Sequence, residues 1–148
     1  MNKSLVLRDV EASDFKVLLE WRNEKITRKY SFESKVISNI DHDKYLTAAT
    51  KNSSRSIFIL EYNGLPIGTL KEDKIQNNVF EISYTISPKY RGMKFGQAMM
   101  RLYLLDRKGM FLCKVKDENI PSIMMLKKLG FKPSNREKKY NCLELTQG

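Results

Sequence analysis

The stretch that decides the fold joins a predicted strand to a predicted helix and reads Ser87-Pro88-Lys89-Tyr90-Arg91-Gly92-Met93-Lys94-Phe95-Gly96-Gln97. Its two glycines, Gly92 and Gly96, permit a tight turn and a close approach of the backbone to a ligand. The helix that follows offers free N–H groups and a dipole that favour an anion, and Arg91 and Lys94 add positive charge. The stretch predicts a pyrophosphate site, although an ordinary strand-to-helix turn with two glycines would look the same in isolation.

The segments around this turn show strand and helix periods. Asn63-Gly64 is a hairpin signal, because both central residues of a type I′ turn need a positive φ. From Val79 to Ser87 apolar and polar residues alternate as in a strand, and from Phe95 to Leu105 apolar residues recur at helical spacing. Asn23 to Ile37 lacks a clean period and is predicted as a loop or a short helix. The predicted order is β-α-α-β-β-β-α-β-α-β-β, in which the crossover after residue 91 should place two strands in parallel.

Length and composition favour one compact domain spanning residues 1–148. Hydrophobic residues make up 41% and charged residues 30%, which excludes collagen, coiled coil and extensive disorder. Two cysteines and one histidine form neither a disulfide framework nor a zinc-site pattern. No apolar run approaches the roughly 20 residues of a membrane span, and charged residues come too early for a signal peptide. We therefore expect a cytoplasmic protein that needs no metal and no membrane.

The formal net charge of +10 is carried by one third of the chain. Between Pro88 and Tyr140 there are 14 basic and 4 acidic residues, whereas the rest has 13 of each. This concentration favours an anionic partner, either a nucleic acid or a small molecule with several phosphates, and a solvated basic surface is the alternative. The aromatic residues among these charges, Phe95 and Tyr103, fall at buried helical positions, so we expect no nucleic-acid binding.

A second motif reads Asn119-Ile120-Pro121-Ser122, with Gly130-Phe131 at the end of the helix that it opens. Together the two motifs resemble the GNAT superfamily of N-acetyltransferases, whose cofactor loop runs Arg/Gln-x-x-Gly-x-Gly/Ala and whose later segment runs Asn-x-x-Ala/Ser. Arg91 and Gly96 fit this loop, whereas Lys94 stands where the first glycine is usual. The resemblance covers nearly the whole chain. It implies an α+β fold, an α/β/α sandwich with four helices and a mixed, mostly antiparallel twisted sheet of about seven strands.

The resemblance also implies an acetyl-coenzyme A (acetyl-CoA) site without a metal. The backbone of Ile86 and Ser87 would hold the pantetheine arm as an added strand, and the loop amides would hold the pyrophosphate. Lys94 can take the φ of a first helical turn, where its ammonium would face a phosphate. The residues implied to contact the cofactor are Ile86, Ser87, Arg91, Gly92, Met93, Lys94, Phe95, Gly96, Gln97, Asn119 and Ser122.

Acetyl transfer to an amine needs a group that takes a proton from the amine and one that protonates the leaving thiolate. Family members often use a tyrosine of the second motif as the acid, but this chain has Leu126 there. It also has Lys114 where the ribosomal-protein acetyltransferases of the family carry a glutamate. We predict Glu81 as the base, acting through water, and Tyr84 as a competing candidate for the acid. In the alternatives, Glu81 faces solvent or pairs with a lysine, and Tyr84 packs in the core.

The N-terminal third resembles amino-sugar acetyltransferases of the same superfamily, through Trp21-Arg22-Asn23, Arg28, Tyr30-Ser31-Phe32 and His42. Those enzymes act on nucleotide-linked amino sugars, such as those of the pseudaminic acid pathway. The resemblance implies such an acceptor, acetylated by direct transfer in a ternary complex, in a monomer or a homodimer. The alternatives are a protein, peptide or small-amine acetyltransferase and a non-catalytic acetyl-CoA-binding protein. The residues implied to hold the acceptor are Arg22, Asn23, Arg28, Ser31 and His42, of which His42 could instead be structural.

Overall fold

The computed structural model describes residues 4–137 and 140–148 of the chain. Seven strands form its sheet: β1 (Leu5–Asp9), β2 (Arg55–Tyr62), β3 (Leu65–Gln76), β4 (Val79–Ile86), β5 (Gly109–Lys116), β6 (Lys132–Glu137) and β7 (Tyr140–Gln147). Five α-helices accompany them: α1 (Phe15–Asn23), α2 (Lys25–Tyr30), α3 (Asn39–Lys51), α4 (Phe95–Leu104) and α5 (Ile120–Lys128). Short 3-10 turns cover Ala12–Asp14 and Pro88–Tyr90.

The strands lie in the order β1-β2-β3-β4-β5-β7-β6, and β4 and β5 are parallel while every other pairing is antiparallel. This confirms the predicted mixed, mostly antiparallel α+β sheet and the parallel pair across the crossover. The hairpin between β2 and β3 has φ 51° at Asn63 and 85° at Gly64, as a type I′ turn requires.

The described chain has five helices where four were expected, because α2 forms in the segment without a clean period. None of the α2 residues is buried, so no apolar repeat marks this helix in the sequence. It begins instead at a capping contact, in which the Glu24 carboxylate accepts a hydrogen bond from Thr27 N at 2.8 Å. A polar contact at its N-terminus therefore stabilises α2 where apolar packing does not.

The two faces of β2 pack against different sets of helices. Ile57 and Ile59 lie in a cluster with Leu18 and Trp21 of α1 and with Leu46 of α3. The intervening residues of the strand belong to a second cluster, which contains α4 and α5 residues. The sheet therefore lies between helices on both sides, as expected for a sandwich. None of the helices in the described part of the chain has the length and apolarity needed to cross a bilayer.

A buried polar cluster joins β3 to α4. Glu72 of β3 is 7% exposed, and its carboxylate accepts hydrogen bonds from the Tyr103 hydroxyl and the Arg107 guanidinium. A buried carboxylate is tolerated when it is paired and hydrogen-bonded in this way. The cluster holds the helix that begins at the glycine loop in place on the sheet.

Candidate active site

A cavity of about 1080 Å³ opens above strands β3, β4 and β5. Its helical wall, formed by α1, α2 and α3, includes Arg22, Thr27, Tyr30, His42 and Tyr45. Its loop wall, formed by residues 91–97 and the start of α5, includes Gly92, Lys94, Gly96, Gln97, Asn119 and Ser122. A cavity of this size slightly exceeds the range of about 300–1,000 Å³ that is typical of ligand sites. Both sequence motifs therefore meet in one cavity, opposite the helices of the N-terminal third.

The floor of the cavity is formed where β4 and β5 separate. Their parallel pairing covers Val79 to Glu81 and ends there, whereas on its other edge β4 stays paired with β3 as far as Ile86. Beyond this point Tyr84, Ile86 and Cys113 line the cavity. The edge of β4 that faces β5 is therefore open to an extended ligand that hydrogen-bonds like an added strand.

The loop between the 3-10 turn and α4 adopts two left-handed conformations. Gly92 has φ 78°, and Lys94, which precedes the first residue of α4, has φ 65° and ψ 19°. The expectation that Lys94 takes a helical φ is therefore wrong, because the chain is left-handed at the position where the family that it resembles usually has glycine. A β-carbon built on Gly96 would lie 3.7 to 4.0 Å from Ile86, Met125 and Tyr84, so the position is close to the cavity surface without being crowded.

Arg91 was expected to meet a phosphate, but its side chain is bound to α2. The Arg91 Nη2 donates to Glu24 Oε2 at 3.1 Å and to Thr27 Oγ1 at 2.8 Å, and Nε donates to the Ile86 carbonyl at 3.2 Å. Burial disfavours the charged Glu24 carboxylate, but the hydrogen bonds from Arg91 and Thr27 outweigh it and lower the pKa of Glu24 to about 2. Arg91 thus joins the loop wall to the helical wall, and Glu24 compensates its charge.

Tyr84 and Ser122 come together on the floor, although they lie in different motifs. The Tyr84 hydroxyl and Ser122 Oγ share a hydrogen bond. Burial raises the pKa of the Tyr84 phenol well above its ordinary value, and the hydrogen bond from Ser122 only partly opposes this. The phenol is therefore protonated throughout the neutral range, and it lies on the lining of the cavity.

Glu81 is placed differently from the expected base. Its carboxylate lies 3.1 Å from Lys114 Nζ, with the glutamate side chain 33% exposed, and it is not among the residues that line the cavity. The pairing with a lysine, the alternative to the catalytic role, is the arrangement found. It also raises the pKa of Lys114.

Most of the residues expected to hold the acceptor are bound to nearby backbone. Asn23 donates to the Ile37 carbonyl and accepts from Ile37 N, both at 2.8 Å. Arg28 donates to the Asn23 carbonyl at 3.0 Å, and Ser31 Oγ donates to the Thr27 carbonyl at 2.7 Å. Asn23 and Arg28 do not line the cavity, whereas Ser31 does. We therefore correct Asn23 and Arg28 from acceptor contacts to residues that hold the connection between α2 and α3.

Two of the expected cofactor residues are also placed away from the cavity. Met93 is 60% exposed and lies outside the lining of the cavity. Ser87 is buried, and its N–H donates to the Ile67 carbonyl at 2.8 Å, which leaves that group unavailable to a ligand. The other expected positions, with Asn119 at the start of α5 among them, lie on the cavity.

Sequence reasoning missed the polar face of β3. Thr69, Lys71 and Asp73 line the cavity, while the intervening Leu70 and Glu72 are buried on the other face. This alternation with a period of two is visible in the sequence and could have placed the three residues on one face. Nothing in the sequence near them, however, indicates that the N-terminal helices cover this face.

A family model described as an acetyltransferase (GNAT) domain matches residues 4–132. A domain from Methanocaldococcus jannaschii DSM 2661 is 19% identical over 99% of this chain and 100% of that chain, with a TM-score of 0.84. Spermidine N-acetyltransferase from Vibrio cholerae, solved with CoA and spermine, is 17% identical over 97% and 95%, with a TM-score of 0.86. The yncA structure from Salmonella typhimurium, with its cofactor acetyl-CoA, is 14% identical over 96% and 93%, with a TM-score of 0.77. No curated protein matches the sequence.

The family match, together with the fold, defines the class of this protein as an acyltransferase. The chain belongs to the GNAT acetyltransferase family: it is an N-acetyltransferase, and acetyl-CoA is its cosubstrate. The residues present fit this molecule, since the open edge of β4 suits a pantetheine arm and the loop before α4 presents amides and Lys94 to a pyrophosphate. Among the side chains that the structure describes, no group of His, Cys, Asp and Glu could hold a metal ion.

Proposed function

We propose that this N-acetyltransferase acetylates the amino group of a nucleotide-linked amino sugar. The observation that carries the proposal is the charge of the cavity lining. Among its described residues, Arg22, Lys71 and Lys94 have no carboxylate partner. Of the two acidic residues on the lining, Glu33 and Asp73, the latter is bound to Arg55. This excess of positive charge favours an acceptor that carries phosphate and disfavours a polycation.

The open edge of β4 and the loop before α4 would bind acetyl-CoA. The Ile86 region of β4 would bind the pantetheine arm by backbone hydrogen bonds, and the N–H groups of residues 92–97 would bind the pyrophosphate, with the Lys94 ammonium beside them. Asn119 and Ser122, at the start of α5, would contact the same molecule from the other side. When bound, acetyl-CoA would supply an acetyl thioester to the cavity.

In the proposed acetyl transfer, Tyr84 is the general acid. Its protonated phenol would give a proton to the sulfur of the departing thiolate and would regain one from solvent water, and the hydrogen bond with Ser122 would hold the hydroxyl in place. Because Glu81 is ion-paired and lies off the cavity lining, no side chain would act as the base. The acceptor amine would lose its proton to water, and alignment of the two substrates would supply much of the rate acceleration.

The acceptor class can be tested by following thiol release from acetyl-CoA. A panel would contain a UDP-linked 4-amino sugar, spermidine, an aminoglycoside and a peptide with a free N-terminus. We expect the highest kcat/KM for the UDP-linked amino sugar. Spermidine is the informative comparison, because the Vibrio cholerae structural neighbour is a spermidine N-acetyltransferase. A higher kcat/KM for spermidine would overturn the proposed acceptor and favour the small-amine alternative.

A further inference from the structure

The α3 part of the helical wall contains a buried imidazole whose Nδ1 has no hydrogen-bond partner among the described residues. His42 lines the cavity and is only 3% exposed. Its Nδ1 is buried and forms no hydrogen bond to any group that the structure describes. Buried polar atoms are nearly always hydrogen-bonded, because an unpaired one destabilises the folded protein. The Nδ1 of His42 therefore lacks a hydrogen-bond partner, and a ligand in the cavity can supply one.

Lys71 brings a positive charge to the same place from β3. Its Nζ lies 3.4 Å from the Tyr45 hydroxyl and 4.9 Å from the centroid of that ring, which in turn stacks on His42 with centroids 6.4 Å apart. In the described part of the chain no carboxylate lies within ion-pair distance of Lys71. Asp73, two residues further along the same face, is bound to Arg55 at 2.5 Å. The charge of Lys71 thus faces the cavity uncompensated.

Arg22 adds a second charge from α1. Its guanidinium is held by the backbone carbonyls of Glu33 at 2.9 Å and Lys35 at 3.3 Å, contacts that orient the group without neutralising it. Burial lowers the pKa of His42, and the nearby charges of Lys71 and Arg22 lower it further, against the opposing effect of Asp43. Two cations therefore flank a neutral imidazole, which can donate one hydrogen bond and accept another.

We infer that Arg22, His42 and Lys71 form a subsite for a phosphate group of the acceptor, distinct from the pyrophosphate loop at residues 91–97. The two cations supply the charge, and the imidazole N–H donates to a phosphate oxygen, which removes its unpaired state. The inference deepens the proposed function and rests on it, since a nucleotide-linked amino sugar carries a diphosphate. Such an anchor holds the acceptor by its phosphate and leaves its amine free to reach the acetyl group.

The chain contains one histidine, so the ring signals of His42 can be identified in an NMR spectrum without assignment. The protein is first saturated with CoA to fill the loop site and is then titrated with inorganic pyrophosphate. We expect a saturable shift of the His42 signals and a rise in the pKa of His42, because a bound anion stabilises the imidazolium. Lys71→Met should weaken pyrophosphate binding by about tenfold or more, because a hydrogen bond to a charged group is lost.

Matched variants separate this subsite from general attraction to a basic protein. Lys74→Met removes the same charge from the same strand, at an exposed position off the cavity, and should leave pyrophosphate affinity within about twofold of wild type. Lys71→Arg should retain most of the affinity. Each variant is accepted only if CoA raises its melting temperature as it does for wild type, which shows that the fold and the loop site are intact.

The subsite is overturned if pyrophosphate leaves the His42 signals unchanged in the CoA-saturated protein, or if Lys71→Met and Lys74→Met bind it equally. Binding of glucuronate in place of pyrophosphate would also overturn it, because the site would then select carboxylates. A pyrophosphate response together with failure to acetylate the UDP-linked amino sugar would uphold the subsite and reject the proposed acceptor. Acetylation of that sugar with no dependence on Lys71 would uphold the acceptor and reject the subsite.

Discussion

At the scale of single residues, Tyr84 carries the proposed chemistry. Its phenol is kept protonated by burial and is hydrogen-bonded to Ser122. Tyr84→Phe removes the transferable proton and leaves the ring in place, so kcat should fall by about 10²–10⁴-fold, the usual range for a general acid. Binding of acetyl-CoA, measured by calorimetric titration, should change little.

Glu81→Gln is the control for this experiment. Because its carboxylate is paired with Lys114 outside the cavity lining, the variant should keep kcat/KM within about threefold of wild type, far from the loss expected of a general base. A pH–rate profile of both variants at saturating acetyl-CoA checks the assignment. If Glu81→Gln shows the large loss of activity and Tyr84→Phe does not, then Glu81 takes part in catalysis and Tyr84 does not.

Lys94 combines a charge near the cofactor with an unfavourable backbone conformation. At φ 65° a residue with a β-carbon is strained by about 1 kcal/mol relative to glycine. Lys94→Gly should therefore unfold at a higher urea concentration than Lys94→Ala. Its free energy of unfolding should be larger by about 1 kcal/mol. Both variants should bind CoA more weakly than wild type, because both lose the ammonium. Equal stabilities of the two variants would show that the left-handed conformation carries no cost.

At the scale of secondary structure elements, the contact between Glu24 and Arg91 holds α2 against the loop before α4. The pKa of Glu24 is lowered from 4.5 to about 2 in the folded protein. A depressed pKa means that the carboxylate contributes stability above about pH 4.5, and this contribution is lost as the pH falls toward 2.

The corresponding prediction is a pH-dependent effect of Glu24→Gln. The variant should lose about 1–2 kcal/mol of unfolding free energy near neutral pH, a value reduced by partial solvent screening. The difference from wild type should shrink as the pH falls and vanish near pH 2. Urea unfolding at several pH values measures it. Glu61→Gln, which removes a similarly exposed carboxylate paired with Arg8, is the control. A difference that does not change with pH would contradict the shifted pKa.

The elements differ in how readily the sequence predicts them. The strands and the hairpin at Asn63-Gly64 follow from local signals that tertiary packing reinforces. The sequence does not distinguish the helix α2 from a loop, because α2 buries no residue. The buried side of α4 is only partly predicted. The apolar repeat that predicts this helix runs from Phe95 to Leu105, yet Leu105 is 68% exposed, whereas Leu104 is 8% exposed. The direction in which the chain leaves α4 toward β5 determines which of the two neighbouring leucines is buried, and the helical periodicity does not indicate that direction.

At the scale of the whole molecule, the sequence predicts the cofactor side of the cavity better than the acceptor side. The loop and the start of α5 are local motifs, whose turn and helix signals place them without knowledge of the fold. The acceptor side depends on contacts between distant segments, such as Lys71 with Tyr45 and Arg91 with Glu24. The excess charge lies in residues 88–140, yet Arg22 and Lys71 on the acceptor side come from the neutral remainder of the chain.

The most direct test of the account compares one amino sugar with and without its nucleotide. The central claim is that phosphate charge on the acceptor is recognised by a cavity with unpaired cations. We predict that kcat/KM for acetylation is at least about 100-fold higher for the UDP-linked 4-amino sugar than for the same sugar free, as two charge-assisted contacts would give. Equal kcat/KM values for the two acceptors would contradict the claim.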